Sequence, residues 1–153
     1  MVSRDGCRRR HRVAVLALWA WVAVGPAAAE SVSGRLQSPP RAPWAGEVFD
    51  LALVWRLDRA TFRYLEGDLQ WDTEPLLSEP WGRPTLQQRV DPDGRPVSEI
   101  TFRRRVMALA PGRPELPAAA QSFAMQVGVF RTSEYERAVV ETVQARSEPA
   151  SVE

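Results

Sequence analysis

Between Glu47 and Asp58 the chain reads EVFDLALVWRLD, with Phe49, Leu51, Leu53, Trp55 and Leu57 at every second position. A period of two puts all five on one side of an extended strand, whereas a helix would scatter them around its axis. The alternate positions carry Asp50 and Arg56 among small residues, so one face belongs to a core and the other is at least half solvated. Full burial of each large apolar side chain is worth about 1.5–3 kcal/mol. This strand therefore commits the chain to a sheet with a covered face, and a charge at Leu53 is expected to be among the most damaging single changes.

Shorter segments follow the same rule. ATFRYLEGDLQWD places Phe62 and Tyr64 on one alternation and Leu69 and Trp71 after a Glu66-Gly67-Asp68 break, which reads as two short strands or one strand with a bulge. TLQQRVDPDGRPVSEITFRRRVMAL reads as a hairpin about Asp91-Pro92-Asp93-Gly94, whose order of residue types suits a type I turn. In its second strand Ile100, Phe102, Arg104, Val106 and Ala108 share one face, and Glu99, Thr101, Arg103, Arg105, Met107 and Leu109 share the other. The arginine triplet is thus divided. Arg103 and Arg105 are expected on the wet face near Glu99, and Arg104 at a sheet rim, its stem over apolar surface and its charge in water.

QSFAMQVGVF alternates Phe123, Met125, Val127 and Val129 as a strand. In SEYERAVVETVQAR, Ser133 and Glu136 allow a helical capping box, while Val139, Glu141 and Val143 alternate as a strand, the preferred reading. SEPASVE, residues 147–153, reads as a disordered tail. Six to eight short strands over residues 30–146, separated by proline and glycine, give an all-β chain. The architecture expected is an immunoglobulin-like antiparallel β-sandwich. It has no cysteine pair, so packing holds it together, with Trp55 and Trp71 as the leading core candidates.

The N-terminus sets the compartment. MVSRDGCRRRHR is a basic head, VAVLALWAWVAVG an apolar stretch of 13 residues and PAAAES a small-residue exit. This reads as a signal-peptide helix over residues 1–29, with cleavage expected after Ala29, because a bilayer-spanning helix needs roughly 20 apolar residues; the alternative is a leader retained as an anchor. Its removal takes the only cysteine, Cys7, and the only histidine, His11. It also leaves 15 arginines against 18 acids, a net charge of −3. A mildly acidic chain argues against nucleic acid, whose binding needs a cationic surface. All 20 basic residues are arginine and none is lysine, a codon bias pointing to a GC-rich bacterium and hence to the periplasm of a Gram-negative cell.

Without histidine or cysteine the exported chain has no serine–histidine or cysteine–histidine device and no ordinary zinc or copper site. Carboxylates remain: Asp68, Asp72 and Glu74, and the turn acids Asp91 and Asp93. A glycosidase uses two carboxylates at a fixed separation in a cleft, a third reading open to Asp68 and Asp72, but acids beside turns are common without that role; the Asp91–Gly94 loop lacks the further oxygen ligands that a calcium loop spaces along its length. The reading is therefore non-enzymatic, with no catalytic, cofactor-binding or metal residues. Trp44 in RAPWAG and Trp81 in SEPWGRP lie among prolines, where a tryptophan either anchors a contact or plugs one end of the sandwich. With Arg103 and Arg105 they are the contact candidates.

Three segments carry a resemblance to a known family: AGEVFDLALVW, a Gly-Glu before alternating apolar residues; the central LQWDTEPLLSEPW; and ITFRRRVMALAPGRPELPAA, a basic strand followed by a proline-glycine turn and a leucine-proline return. Over most of Gly34 to Val143 the chain resembles the BatD family, the oxygen-tolerance (aerotolerance) proteins of bacterial envelopes. The resemblance implies an exported immunoglobulin-like domain acting through contacts with envelope proteins, among them von Willebrand A-type partners and an ATPase system. Family members usually carry a transmembrane helix after their periplasmic domains; here no second apolar segment follows the leader, so no stable membrane span is expected after cleavage. The alternative is a carbohydrate- or peptidoglycan-binding module that stacks sugars on Trp44 and Trp81.

Overall fold

The computed structural model describes residues 32–37, 41–74 and 76–151. The leader expected over residues 1–29 and the cleavage expected after Ala29 lie outside them. The described residues form ten strands and no helix: β1 (Val32–Gln37), β2 (Val48–Asp58), β3 (Phe62–Gln70), β4 (Leu76–Ser78), β5 (Thr85–Val90), β6 (Pro96–Ala108), β7 (Glu115–Leu116), β8 (Ala120–Arg131), β9 (Glu136–Arg146) and β10 (Ala150–Ser151). Among them no helix is long and apolar enough to cross a membrane.

Two antiparallel sheets make the body. One runs β1-β2-β6, with β4 and β5 sharing the far edge of β6; the other runs β3-β8-β9. The period-two pattern of β2 does what its residues dictate: Phe49, Leu51, Leu53, Trp55 and Leu57 are buried, as are Ile100, Phe102, Val106 and Ala108 of β6. Phe123 and Met125 of β8 close the core from the other sheet. Trp55 meets Phe123 edge-on at 5.2 Å, the geometry aromatic quadrupoles prefer. Gly34 in β1 lies against Trp55, where a Cβ would run into the indole, so this position of β1 admits no side chain.

Local chemistry explains the irregular points. β3 is a single strand whose pairing with β8 slips between Glu66 and Gln70. The buried Gln121 amide fills the slip, donating to Glu66 O (3.1 Å) and Gly67 O (3.3 Å). At the β5–β6 turn, Gly94 adopts φ +80°, and Asp91 Oδ1 accepts from Asp93 N (3.0 Å) and Arg95 N (2.8 Å). That carboxylate is engaged by backbone donors.

Two features depart from the sequence reading. Residues 147–151, which the sequence predicts as part of a disordered tail, pack back onto the domain. Ser147 is buried, its N–H donates to Ala119 O (2.8 Å), and its Oγ accepts from Ala119 N (2.9 Å). Glu148 N donates to Gly34 O (2.9 Å), and β10 pairs with β7. Backbone hydrogen bonds hold this segment, and they need no apolar pattern in the sequence. The second feature is β8, where Phe123 and Met125 are buried but Val127 and Val129 are exposed. The register slips between Gln126 and Gly128, which reverses the faces, and β3 ends opposite Met125 at Phe62.

Candidate functional site

The arginine triplet is divided as its spacing requires. Arg103 and Arg105 are exposed on the outer face of the five-stranded sheet. Arg103 lines a shallow polar groove of about 270 Å³ with Arg56, Arg89, Glu99, Thr85 and Thr101. Glu99, only 13% exposed at its side chain, bridges Arg56 (3.5 Å) and Arg89 (3.6 Å). Arg105 is held elsewhere, in a two-pronged pair with Glu79 at 2.8 and 3.1 Å. The expectation of Arg105 beside Glu99 is thus corrected: the two stand six residues apart on β6, about 20 Å along an extended strand, which carries Arg105 to Glu79 beside β4 instead.

Arg104 departs most from expectation. Its side chain is half-buried rather than free at a rim. Its guanidinium lies 4.7 Å from the Trp81 ring centroid and 5.2 Å from that of Trp71, within cation–π range. It donates to Ser78 Oγ and Glu79 O, while its Nε is buried without a partner. Burial lowers its pKa from the ordinary guanidinium value, though a guanidinium stays charged throughout the working range. The cluster is closed by Trp71 against Trp81 at 5.6 Å and Trp81 against Phe102 at 6.3 Å. Trp71 Nε1 donates to Pro117 O (2.8 Å), so Trp71 sits half-buried at the core's margin and Trp55 at its centre.

The two proline-flanked tryptophans are therefore unlike. Trp81 packs against the core. Trp44 is 72% exposed, on a loop built around Glu47, whose carboxylate accepts from Arg41 (2.6 and 3.0 Å) and Trp44 N (2.8 Å). The Arg41 hydrogen bond, then the Trp44 N–H, hold the Glu47 carboxyl below the usual carboxylate range. Of the acidic residues, Asp72 and Glu74 border a groove of about 550 Å³ with Glu115 and Leu116, and Asp68 lies apart from it. Among the described residues, no group of three or more His, Cys, Asp or Glu is placed to hold a metal.

The most distinctive surface was missed from sequence. Beyond Gln126, whose N–H donates to Thr61 O (2.7 Å), β8 pairs among the described residues with β9 alone. The two strands run on as a ribbon with Val127, Val129, Phe130, Tyr135, Val139 and Val140 all exposed. A globular strand is normally covered on at least one face; residues 136–142 of β9 are exposed throughout. The available signal was Gly128 inside an apolar alternation, a mark of a bulge, beside Ala138-Val139-Val140, which puts apolar residues on both faces. No family model, curated protein or solved structure matches the chain.

Proposed function

We propose that this chain is a non-enzymatic protein-interaction domain of the bacterial periplasm, exported by residues 1–29. In this reading it is an immunoglobulin-like β-sandwich similar to a BatD periplasmic domain, acting in an envelope protein complex with von Willebrand A-type proteins among its partners. The observation that carries it is the β8–β9 ribbon, which presents six large exposed apolar side chains on a two-stranded extension that no other described strand covers. Phe130, Tyr135 and Val139 share one face of it; exposed apolar surface of this kind marks contact sites, and a two-stranded ribbon offers backbone as well as side chains to a partner.

Sugar stacking has less support, because the Trp81 ring already packs against Arg104, Trp71 and Phe102, leaving Trp44 as a lone platform. The test is capture from envelope extracts with the native chain and a Phe130→Ser/Val139→Ser ribbon variant as paired baits. A von Willebrand A-type protein retained by the first and lost from the second is expected; equal recovery on both baits, or none on either, overturns the proposal.

A further inference from the structure

Among the described residues no strand pairs with the outer edge of β9, and the sequence of that edge complements itself. We infer that this edge pairs antiparallel with that of a second copy of the chain about a two-fold axis through Val139, joining two three-stranded sheets into one; this names a partner for the ribbon and rests on the protein-contact reading above.

The exposed run Glu136–Thr142 has Val139 at its centre and contains no proline or glycine. Natural sheet edges are usually guarded by proline, bulges or short length. Here the bulge is on β8, and β9 is 11 residues long. Among the described residues only the C-terminal end is guarded, where Ser147 and Glu148 turn onto Ala119 and Gly34.

Backbone direction limits the possible registers. Thr132 N donates to Tyr135 O (2.9 Å), so the pairs alternate from there: Arg137 bonds to Phe130, while Glu136 and Ala138, opposite Arg131 and Val129, turn their N–H and C=O outward. The same alternation carries Val140 and Thr142 outward. Two such edges can bond only through these residues. With Val139 on the axis, Ala138 bonds to Val140 of the second copy, and Arg137 stands opposite Glu141, twice by symmetry. These Arg–Glu positions are unbonded pairs, whose side chains approach most closely. Sliding by two residues either way sets Arg137 against Val139 or Val143 and Glu141 against Tyr135 or Val139, and both charge pairs vanish. Among the described residues neither Arg137 nor Glu141 takes part in an ion pair within the chain. Phe130 and Tyr135, 6.3 Å apart, share the Val139 face by register and flank the joint.

The test uses the full chain with its own N-terminus in a Cys7→Ser background, so that an added thiol is unique. Sedimentation should show a concentration-dependent dimer. Arg137→Glu and Glu141→Arg should each weaken it about tenfold or more, and the double exchange should restore it. Val139→Cys should form a disulfide-linked dimer under mild oxidation, since only a residue on the axis meets itself at bridging distance; Glu136→Cys should not. A monomer at near-millimolar concentration overturns the inference, as does a dimer indifferent to both charge changes or one that crosslinks equally from both positions. A monomer that still captures a partner through the ribbon removes self-pairing and leaves the protein-contact reading standing.

Discussion

The β2–β6 and β8–β9 ladders are both long antiparallel pairs, each joined at eleven residue pairs, and both are rich in apolar side chains. In the first, every apolar inward residue of β2 lies in the core. In the second, burial stops at Met125 and six large apolar residues beyond it stand in solvent. The difference is not in the strands but in what lies over them: β2 and β6 face the other sheet, whereas the distal part of β8 and β9, past the last pair with β3 at Met125, contributes no residue to the core shared by the two sheets. Alternation specifies an extended backbone; whether its apolar stripe is buried depends on a second layer supplied by another part of the chain.

A matched pair of substitutions tests that comparison most severely. Leu53→Lys places a charge in the fully buried stripe of β2 and should cost about 4 kcal/mol or more, enough to abolish a cooperative transition. Val129→Lys makes the same chemical change on the ribbon and should move the denaturant midpoint by no more than about 0.5 kcal/mol equivalent. Similar losses from both would mean that the ribbon is covered and the contrast mistaken.

The triplet repeats the contrast within one strand. Arg104→Ala removes two hydrogen bonds and the stacking on Trp71 and Trp81 and should destabilise by about 1–2 kcal/mol, with a change in tryptophan fluorescence. Arg103→Ala and Arg105→Ala, on the solvated face, should each stay within about 0.5 kcal/mol. Equal effects at all three positions would break the distinction between covered and uncovered faces.

The smallest effect belongs to the exposed loop before β2. Because Arg41 and the Trp44 N–H lower the Glu47 pKa in the folded chain, the unfolded chain binds that proton at higher pH. Glu47 thus contributes stability above the ordinary glutamate range, and the contribution is lost as pH falls through the lowered folded value. Glu47→Gln should flatten the acid limb of a stability-versus-pH curve slightly; an unchanged limb would show that the loop contacts add nothing.

Much of this was legible beforehand. The stripe of β2, the Asp91–Gly94 turn, the slip in β3, the strand over residues 136–146 and the division of the triplet all follow from short-range periodicity and turn chemistry. Arg104 was misread because inward parity was visible but its aromatic surroundings were not: Trp71, Trp81 and Ser78 come from separate segments. Ser147 was misread because its partners, Ala119 N and O, are backbone groups that leave no mark on composition. The ribbon escaped notice because Val127 and Val129 continue the alternation of Phe123 and Met125 past the bulge that reverses it.

By itself the sequence determined an all-β chain with a strongly apolar central strand and with its lone histidine and cysteine both ahead of residue 13, since backbone period and residue inventory are local properties. Only the tertiary structure decided which apolar stripes are covered, that Arg104 turns inward between two tryptophans, and that β9 is left as an open edge. Those outcomes depend on where one sheet ends above another, and strand overlap is set by distant parts of the chain meeting in space.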